Sequence, residues 1–343
     1  MEKKLRVVQY GVGTIGGGIV KLMLRKPALE IVGAVDNDPN KVGRDLGRVV
    51  GLDRDLGVVV EGDLKSAVPA SGADVVVHST RSILAEVAPQ IRECIGTGAH
   101  VLSTCEELCY PFHKYPELSA SLDAEAKQRG LVLMGTGVNP GFAMDKLVLT
   151  LATACQQIDR VRVLRVVDAS RRRLRLQKKA GVGLTLDEFT RELEAGTIRH
   201  YGLSESAWMI ADQLGMSVDR VEEAVAPIVA EMPMRSQYFH VKAGNVKGVK
   251  QVALGLKDND EIIRLELEIY LGAAEPQDSA KVSGVPNLEM KVVGGIPGDL
   301  ATMAIAVNSL PALLRLKPGL RIAHDVSMSF WTGEGVATMA AAN

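Results

Sequence analysis

The sequence predicts an α/β protein of two domains: a doubly wound parallel sheet, then an α+β domain with a largely antiparallel open sheet. Three observations carry this expectation. A strand-like run from Leu5 to Tyr10 leads straight into Gly11-Val12-Gly13-Thr14-Ile15-Gly16 and then into helical spacing of apolar residues at Ile19, Leu22 and Met23. Strand and helix patterns alternate from there to about residue 140, as they do in parallel sheets. From about residue 158 the period becomes two, most plainly in Ile263 to Leu271 (IRLELEIYL), the mark of a sheet with one buried and one wet face.

The glycine loop makes the first domain Rossmann-type. Glycine serves there for three separate reasons: a tight turn at Gly11, backbone approach to a pyrophosphate at Gly13, and close helix–strand packing at Gly16. The amides of Thr14 and Ile15 open the helix, where free N–H groups and the helix dipole favour an anion. A second strand, Glu30 to Val35, ends at Asp36, 20 residues past the third glycine, where an acid can take ribose hydroxyls. The competing reading is a tight turn with no ligand. Strand, glycines, helix, second strand and acid in one register favour the dinucleotide. Asp36 repels a 2′-phosphate, so NAD is expected; Lys41 and Arg44 supply the positive charge that would admit NADP.

Further along, Val58 to Val60 reads as a short strand, Leu64 to Val68 as a short helix or turn, and Asp74 to His78 as a buried strand. Ser79-Thr80-Arg81-Ser82 follows, then a helix from about Ile83 to Gly96. Polar residues at the carboxyl end of a parallel strand line ligand crevices, and Ser and Thr also cap helices. A mixed role is expected, with Ser79, Thr80 and Arg81 on the cofactor side. The strand His100 to Thr104 ends in Cys105-Glu106-Glu107-Leu108. A carboxylate at a strand tip can act as a general base; two adjacent glutamates also suit the first turn of a helix. Both readings stand on spacing alone. A helix at about Leu118 to Arg129, a strand Val132 to Met134, a loop Gly135 to Phe142 and a helix from Ala143 to about Ala154 follow.

In the second domain, strands are expected at Arg160 to Val167, Tyr238 to Lys242, Val246 to Leu256, Ile263 to Leu271 and Val285 to Val292, with helices at about 185–195, 203–214 and 217–225. The basic run Arg171-Arg172-Arg173-Leu174-Arg175 with Lys178 and Lys179 is either a solvated surface or a lid meeting an anionic group. Asp299 is the expected N-cap of a long helix through Leu316. The domains are thus placed at 1–140, 141–297 and 298–343.

With 40 basic and 41 acidic residues the net charge is −1, which gives no general attraction to nucleic acid or an anionic membrane. No apolar run reaches the roughly 20 residues of a membrane span, and a cytoplasmic protein is expected. Four cysteines in 343 residues do not form a disulfide framework. Cys105, Cys109 and His113 have the only metal-like spacing; Pro111 interrupts it, no fourth ligand is near, and no metal is expected.

The segments GVGTIG, VDNDPNKVGRDLG, VVVHSTRS, STCEELCYP, GTGVNPGFAMD, GVGLTLDEF and GGIPGDLATMAIAVNSLP together resemble the 2,4-diaminopentanoate dehydrogenases and the native amine dehydrogenases grouped with them, over nearly the whole chain. The resemblance to the dihydrodipicolinate reductases, which share the two-domain plan, is partial: their His-His-Lys and Pro-Ser-Gly-Thr signatures are missing, and the comparable region reads RRRLRLQKKAGVG. The resemblance implies NAD(P)-dependent oxidative deamination of a primary amine, with reductive amination of a ketone by ammonia as the reverse. It maps the catalytic carboxylate to the Glu106-Glu107 pair, with Glu106 nearer the strand tip. It suggests Asn139, Phe142, His200 and Thr302 as pocket walls, and His200 reads equally as a surface histidine. A diamino acid needs a cation for its carboxylate, which Arg171 and its neighbours can supply; an alkylamine needs only an apolar pocket. A reductase of the dihydrodipicolinate type and a non-catalytic dinucleotide sensor are the alternatives. An open sheet with a face to cover points to a homodimer.

Overall fold

The computed structural model describes residues 4–327 and 329–333; the end of the expected C-terminal segment lies outside the described residues. In order, the chain forms β1 (Leu5–Tyr10), α1 (Thr14–Met23), β2 (Leu29–Val35), α2 (Leu46–Val49), β3 (Val60–Glu61), α3 (Leu64–Ala67), β4 (Val75–His78), α4 (Leu84–Gly96), β5 (His100–Ser103), a 3-10 turn (Glu106–Cys109), α5 (Pro116–Gln128) and β6 (Val132–Gly135). Then come α6 (Lys146–Ala152), β7 (Gln157–Asp168), α7 (Leu174–Lys179), α8 (Leu186–Glu194), α9 (Leu203–Leu214), β8 (Arg220–Val229), β9 (Met234–Arg235), β10 (His240–Val241), β11 (Val246–Lys257), β12 (Asp260–Tyr270), β13 (Gln277–Val285) and β14 (Leu288–Val293). The chain closes with α10 (Gly298–Leu313) and β15 (Gly319–Arg321). Two compact units result, Met1–Phe142 with Pro297–Asn343, and Ala143–Ile296.

In the first unit a seven-stranded sheet runs β15-β6-β5-β4-β1-β2-β3, parallel at every pair. Its strand order reverses between β1 and β4, which opens a crevice beyond their carboxyl ends, the place where such sheets take ligands. All four residues of β4 are buried, because helices cover both faces of a parallel sheet. One core gathers Val7, Ile19, Val20 and Met23 with Val307 and Leu310 of α10. The Met303 side chain of α10 packs onto α1 at Gly18, where a Cβ would sit 2.2 Å from its sulfur. A second core joins Val8, Val76 and Val101 to Ile91, Ile95 and Leu122. Burying a side chain of this size contributes roughly 1.5–3 kcal/mol, so these clusters hold the crevice edges in place.

In the second unit a six-stranded sheet runs β14-β13-β7-β12-β11-β8. It is antiparallel except for the pair β12 and β7, which is parallel. Helices α6 and α9 pack on it. Lys250 pairs with Glu266 and Glu268, and Arg264 with Glu261 and Glu266, a ladder of half-exposed charges.

Several local expectations are corrected. The span 217–225 is not helical: β8 takes most of it and pairs with β11 from Val229 opposite Val246 to Arg220 opposite Leu256. Glu222, Glu223 and Ala224 favour a helix by only tenths of a kcal/mol each, which a ten-residue ladder outweighs. The strand expected over Tyr238 to Lys242 is reduced to β10, since Ser236 Oγ accepts the N–H groups of Tyr238 at 3.2 Å and Phe239 at 3.1 Å and so folds them into a turn. The strand placed at Val285 to Val292 divides into β13 and β14 at Pro286, which has no N–H to give a ladder; β13 and β15 carry too few apolar alternations to show in the sequence. Pro297, not Asp299, is the N-cap of α10, which ends at Leu313. The helix expected from Ala143 begins at Lys146, behind the Asp145 cap, and the basic run folds in part as α7.

Candidate active site

The glycine loop has the tight turn and the close helix–strand packing that its spacing suggests, and open space at its middle. Gly11 takes a φ of +88°, and a Cβ on it would lie 2.4 Å from the Ser79 carbonyl oxygen. At Gly16 a Cβ would lie 1.8 Å from the Gly11 carbonyl oxygen, so helix and strand touch there. At Gly13 a Cβ would meet nothing within 4 Å: the space beside the loop's middle is open. Gly13 is the N-cap of α1, with no side-chain cap and no acid in the first turn. Thr14 and Ile15 open the helix at this point, leaving an electropositive end suited to a pyrophosphate.

Asp36 stands at the end of β2, buried to 8% exposure. Its Oδ2 accepts the Val12 N–H at 2.8 Å and the Lys41 ammonium at 2.9 Å, and its Oδ1 accepts the Asp38 N–H at 3.0 Å. Burial alone would raise its pKa; the Lys41 hydrogen bond and those from Asp38 and Val12 outweigh burial and hold the carboxyl below its ordinary range. Asp36 therefore ties the glycine loop to β2 as an anion. Open space at Gly13, an uncapped helix end and an ionised acid at β2 fit a dinucleotide, and Gly11, Gly13, Thr14, Ile15, Gly16 and Asp36 would hold it. Arg44 donates to the Asn40 carbonyl at 3.1 Å.

Across the crevice, Ser79 is turned toward the loop's own backbone: its hydroxyl donates to the Gly11 carbonyl at 3.0 Å and accepts from the Gln9 amide at 2.8 Å. Thr80 and Arg81 are exposed. Arg81 pairs with Glu86 at 2.9 Å, and the Thr80 hydroxyl donates to Gln90 Oε1 at 2.8 Å.

The two adjacent glutamates have different surroundings. Glu107 is 1% exposed; its Oε2 accepts the Leu84 N–H at 2.8 Å and the Tyr115 hydroxyl at 2.8 Å, and its Oε1 meets Lys114 at 2.5 Å. It thereby caps α4, whose own N-cap residue Ile83 has no side chain able to do so. Glu106 is half-buried at the start of the 3-10 turn. That turn is stitched to the segment after Thr80: the Glu107 N–H donates to the Ser82 carbonyl at 3.2 Å and Cys105 Sγ reaches the same oxygen at 3.2 Å. Burial pushes the Cys105 thiol well up, so it stays a neutral thiol. Cys109 turns its sulfur to the carbonyls of Cys105 and Pro140, both at 3.7 Å, and the His113 ring stacks on Tyr110.

The loop Gly135 to Phe142 abuts this turn, since a Cβ on Gly135 would lie 2.5 Å from the Leu108 carbonyl carbon. Thr302 of α10 anchors the loop by accepting the Val138 N–H at 3.2 Å. Asn139 is buried and precedes a cis proline, and Phe142 closes the loop. Crevice edge, glutamate turn, loop and Thr302 thus belong to one continuous arrangement in the first unit. His200 and Arg171 lie in the second unit. The His200 backbone is clamped by Gln251, which accepts its N–H at 3.0 Å and donates to its carbonyl at 2.9 Å; Arg171 is exposed on the turn before α7. Sequence reasoning missed buried His78 and Ser103 and half-buried Gln90, which form a polar network between the crevice and the glutamate turn; the one signal was a histidine closing an otherwise apolar strand.

A family model of the 2,4-diaminopentanoate dehydrogenase C-terminal domain matches residues 142–340, and one of the dihydrodipicolinate reductase N-terminus matches residues 5–103. The chain is 30% identical over 331 residues to the 2,4-diaminopentanoate dehydrogenase of Acetoanaerobium sticklandii, covering 94% of each. It is 29% identical to an amine dehydrogenase of Streptomyces virginiae over 48% of this chain and 47% of that one. Among solved structures, the amine dehydrogenase of Mycobacterium smegmatis superposes with a TM-score of 0.84 at 27% identity, over 96% of this chain and 98% of that one. The chain belongs to the 2,4-diaminopentanoate dehydrogenase family of oxidoreductases, built on a dihydrodipicolinate-reductase-type dinucleotide domain.

Proposed function

We propose that the protein catalyses NAD-dependent oxidative deamination of a primary amine, 2,4-diaminopentanoate or a related one, and the reverse reductive amination of a ketone with ammonia, with Glu106 as the catalytic carboxylate. The observation that carries the assignment to Glu106 is the full engagement of Glu107 by Leu84, Tyr115 and Lys114, beside a neighbour half-open at the same strand tip. A bound nicotinamide supplies the acceptor for the hydride of the amine-bearing C–H bond. The Glu106 carboxylate stabilises the iminium cation left behind. It then takes a proton from the water that adds to the iminium carbon, and the resulting carbinolamine releases ammonia and leaves the ketone. One anion serves both steps because it attracts a cation and accepts a proton.

Asn139, Phe142, Thr302 and His200 are proposed as substrate-contacting residues, and Arg171 is the proposed partner of a substrate carboxylate. We also propose a cytoplasmic homodimer, which the half-exposed face of the six-stranded sheet supports. The match of residues 5–103 to the dihydrodipicolinate reductase N-terminus supports a second reading, reduction of a cyclic imine. The test is NADH oxidation with a ketone, with and without ammonia: dependence on ammonia supports the amine dehydrogenase, and oxidation of NADH by a cyclic imine alone supports the reductase.

A further inference from the structure

His78 closes β4 and is directly opposite Ser103 in the parallel pairing of β4 and β5, so their side chains meet on one face at the carboxyl edge of the sheet. Both are fully buried. His78 Nδ1 lies 2.9 Å from Ser103 Oγ, and Nε2 lies 2.9 Å from both Gln90 Oε1 and Thr80 Oγ1. An amide oxygen only accepts, so Nε2 carries the ring hydrogen and Nδ1 receives the Ser103 hydroxyl proton. The Ser103 oxygen in turn accepts the Cys105 N–H at 3.1 Å, and Cys105 is the N-cap of the turn that begins with Glu106. One imidazole therefore touches the Thr80 turn on one side and, through a single hydroxyl, the Glu106 turn on the other.

We propose that His78 is a positioning residue of the active site: it sets the glutamate turn against the crevice edge at Thr80, so that the Glu106 carboxylate is held where the hydride is transferred. The inference rests on the reading of Glu106 as the catalytic group. Burial obliges both ring nitrogens to find partners, and the partners found here belong to the two turns that the reaction must align. Its Tyr10 contact is edge-on at 5.3 Å and supplies the packing separately. Displacing a reacting group by about 1 Å costs on the order of 100-fold in rate, so loss of this bridge is expected in kcat.

The test compares His78→Phe, which keeps the ring and removes both hydrogen bonds, with His78→Asn, whose amide oxygen can accept the Ser103 proton in place of Nδ1, and with Ser103→Ala. His78→Phe is expected to lower kcat by about 100-fold with the amine KM and NADH affinity within about threefold; Ser103→Ala follows it; the double variant is no worse than the worse single one, as expected of residues acting as a unit; His78→Asn recovers about tenfold. Independently of turnover, amide hydrogen exchange of the segment Cys105 to Cys109 is expected to be about tenfold faster in His78→Phe, and in Ser103→Ala should His78→Phe not fold. Unchanged exchange there, or a kcat within threefold of the parent, overturns the proposal. A parent protein that turns over no amine while exchange still rises in the variants overturns the functional reading and leaves the bridge standing.

Discussion

Glu107 Oε2 accepts the Leu84 N–H at 2.8 Å, so the first turn of α4 is capped from the tip of the neighbouring strand rather than from its own sequence. That bond gives Glu107 a structural task, which supports the proposal that Glu106 is the catalytic member of a pair that spacing alone leaves equal. Glu107→Ala removes a buried cap and strands Lys114 and Tyr115, and it is expected to cost about 2–3 kcal/mol of stability. Glu106→Gln is expected to lower kcat by about 10²–10⁴-fold, with NADH binding intact. Urea melts and initial rates on both variants check this pair of outcomes.

Gly13 and Gly16 predict opposite phenotypes from the same substitution. A Cβ at Gly13 enters open space, so Gly13→Ala folds normally but loses at least about tenfold in NADH affinity, roughly 1.4 kcal/mol, because the methyl stands where a phosphate would approach the loop. A Cβ at Gly16 would collide with backbone, so Gly16→Ala is expected to be destabilised by several kcal/mol or to fail to fold. Thermal melts with and without NADH separate the two.

Lys41 is bound at 2.9 Å to Asp36, the acid at the end of β2. It both offsets the carboxylate and offers a donor to a 2′-phosphate. Lys41→Ala is therefore expected to lower the NADP-linked kcat/KM by about tenfold more than the NAD-linked value, since one phosphate contact contributes about 1–2 kcal/mol. Parallel rates with the two cofactors decide it, and equal losses would show that Lys41 does not discriminate.

Where a signal is local, the chain was readable before its structure. The loop from Gly11 to Gly16, the acid at Asp36 and the alternation in Ile263 to Leu271 depend on near neighbours and were placed correctly. The helix expected at 217–225 failed because pairing with β11, about 30 residues away in sequence, outweighs propensity. The unequal surroundings of Glu106 and Glu107 rest on Leu84, Lys114 and Tyr115, and the orientation of Ser79 rests on Gln9 and Gly11; no spacing rule connects them. His78 was legible only as the polar end of an apolar strand, and its meaning comes from Ser103 on the next strand.

Burial lowers the His78 pKa to about 4, against a hydrogen bond to Gln90 that raises it. A folded value below the unfolded one means that the unfolded chain binds the extra proton between about pH 4 and 6.5, so stability rises with pH through that window and levels off above it. His100 is lowered too, chiefly by burial, and adds in the same direction. On lowering the pH from 7.5 to 5.5 the parent is expected to lose about 1 kcal/mol more than His78→Asn, read as the difference in slope of urea-derived stability. Equal slopes would show that His78 titrates normally.

The central claim is tested most directly by following absorbance at 340 nm with NAD and 2,4-diaminopentanoate at alkaline pH, beside a panel of simple alkylamines, for the parent protein and Glu106→Gln. NADH formation by the parent, accompanied by equimolar ammonia and reduced at least about 100-fold in the variant, is the predicted result. NADH formation that survives Glu106→Gln, or no formation with any amine while NADH still binds, would contradict the account.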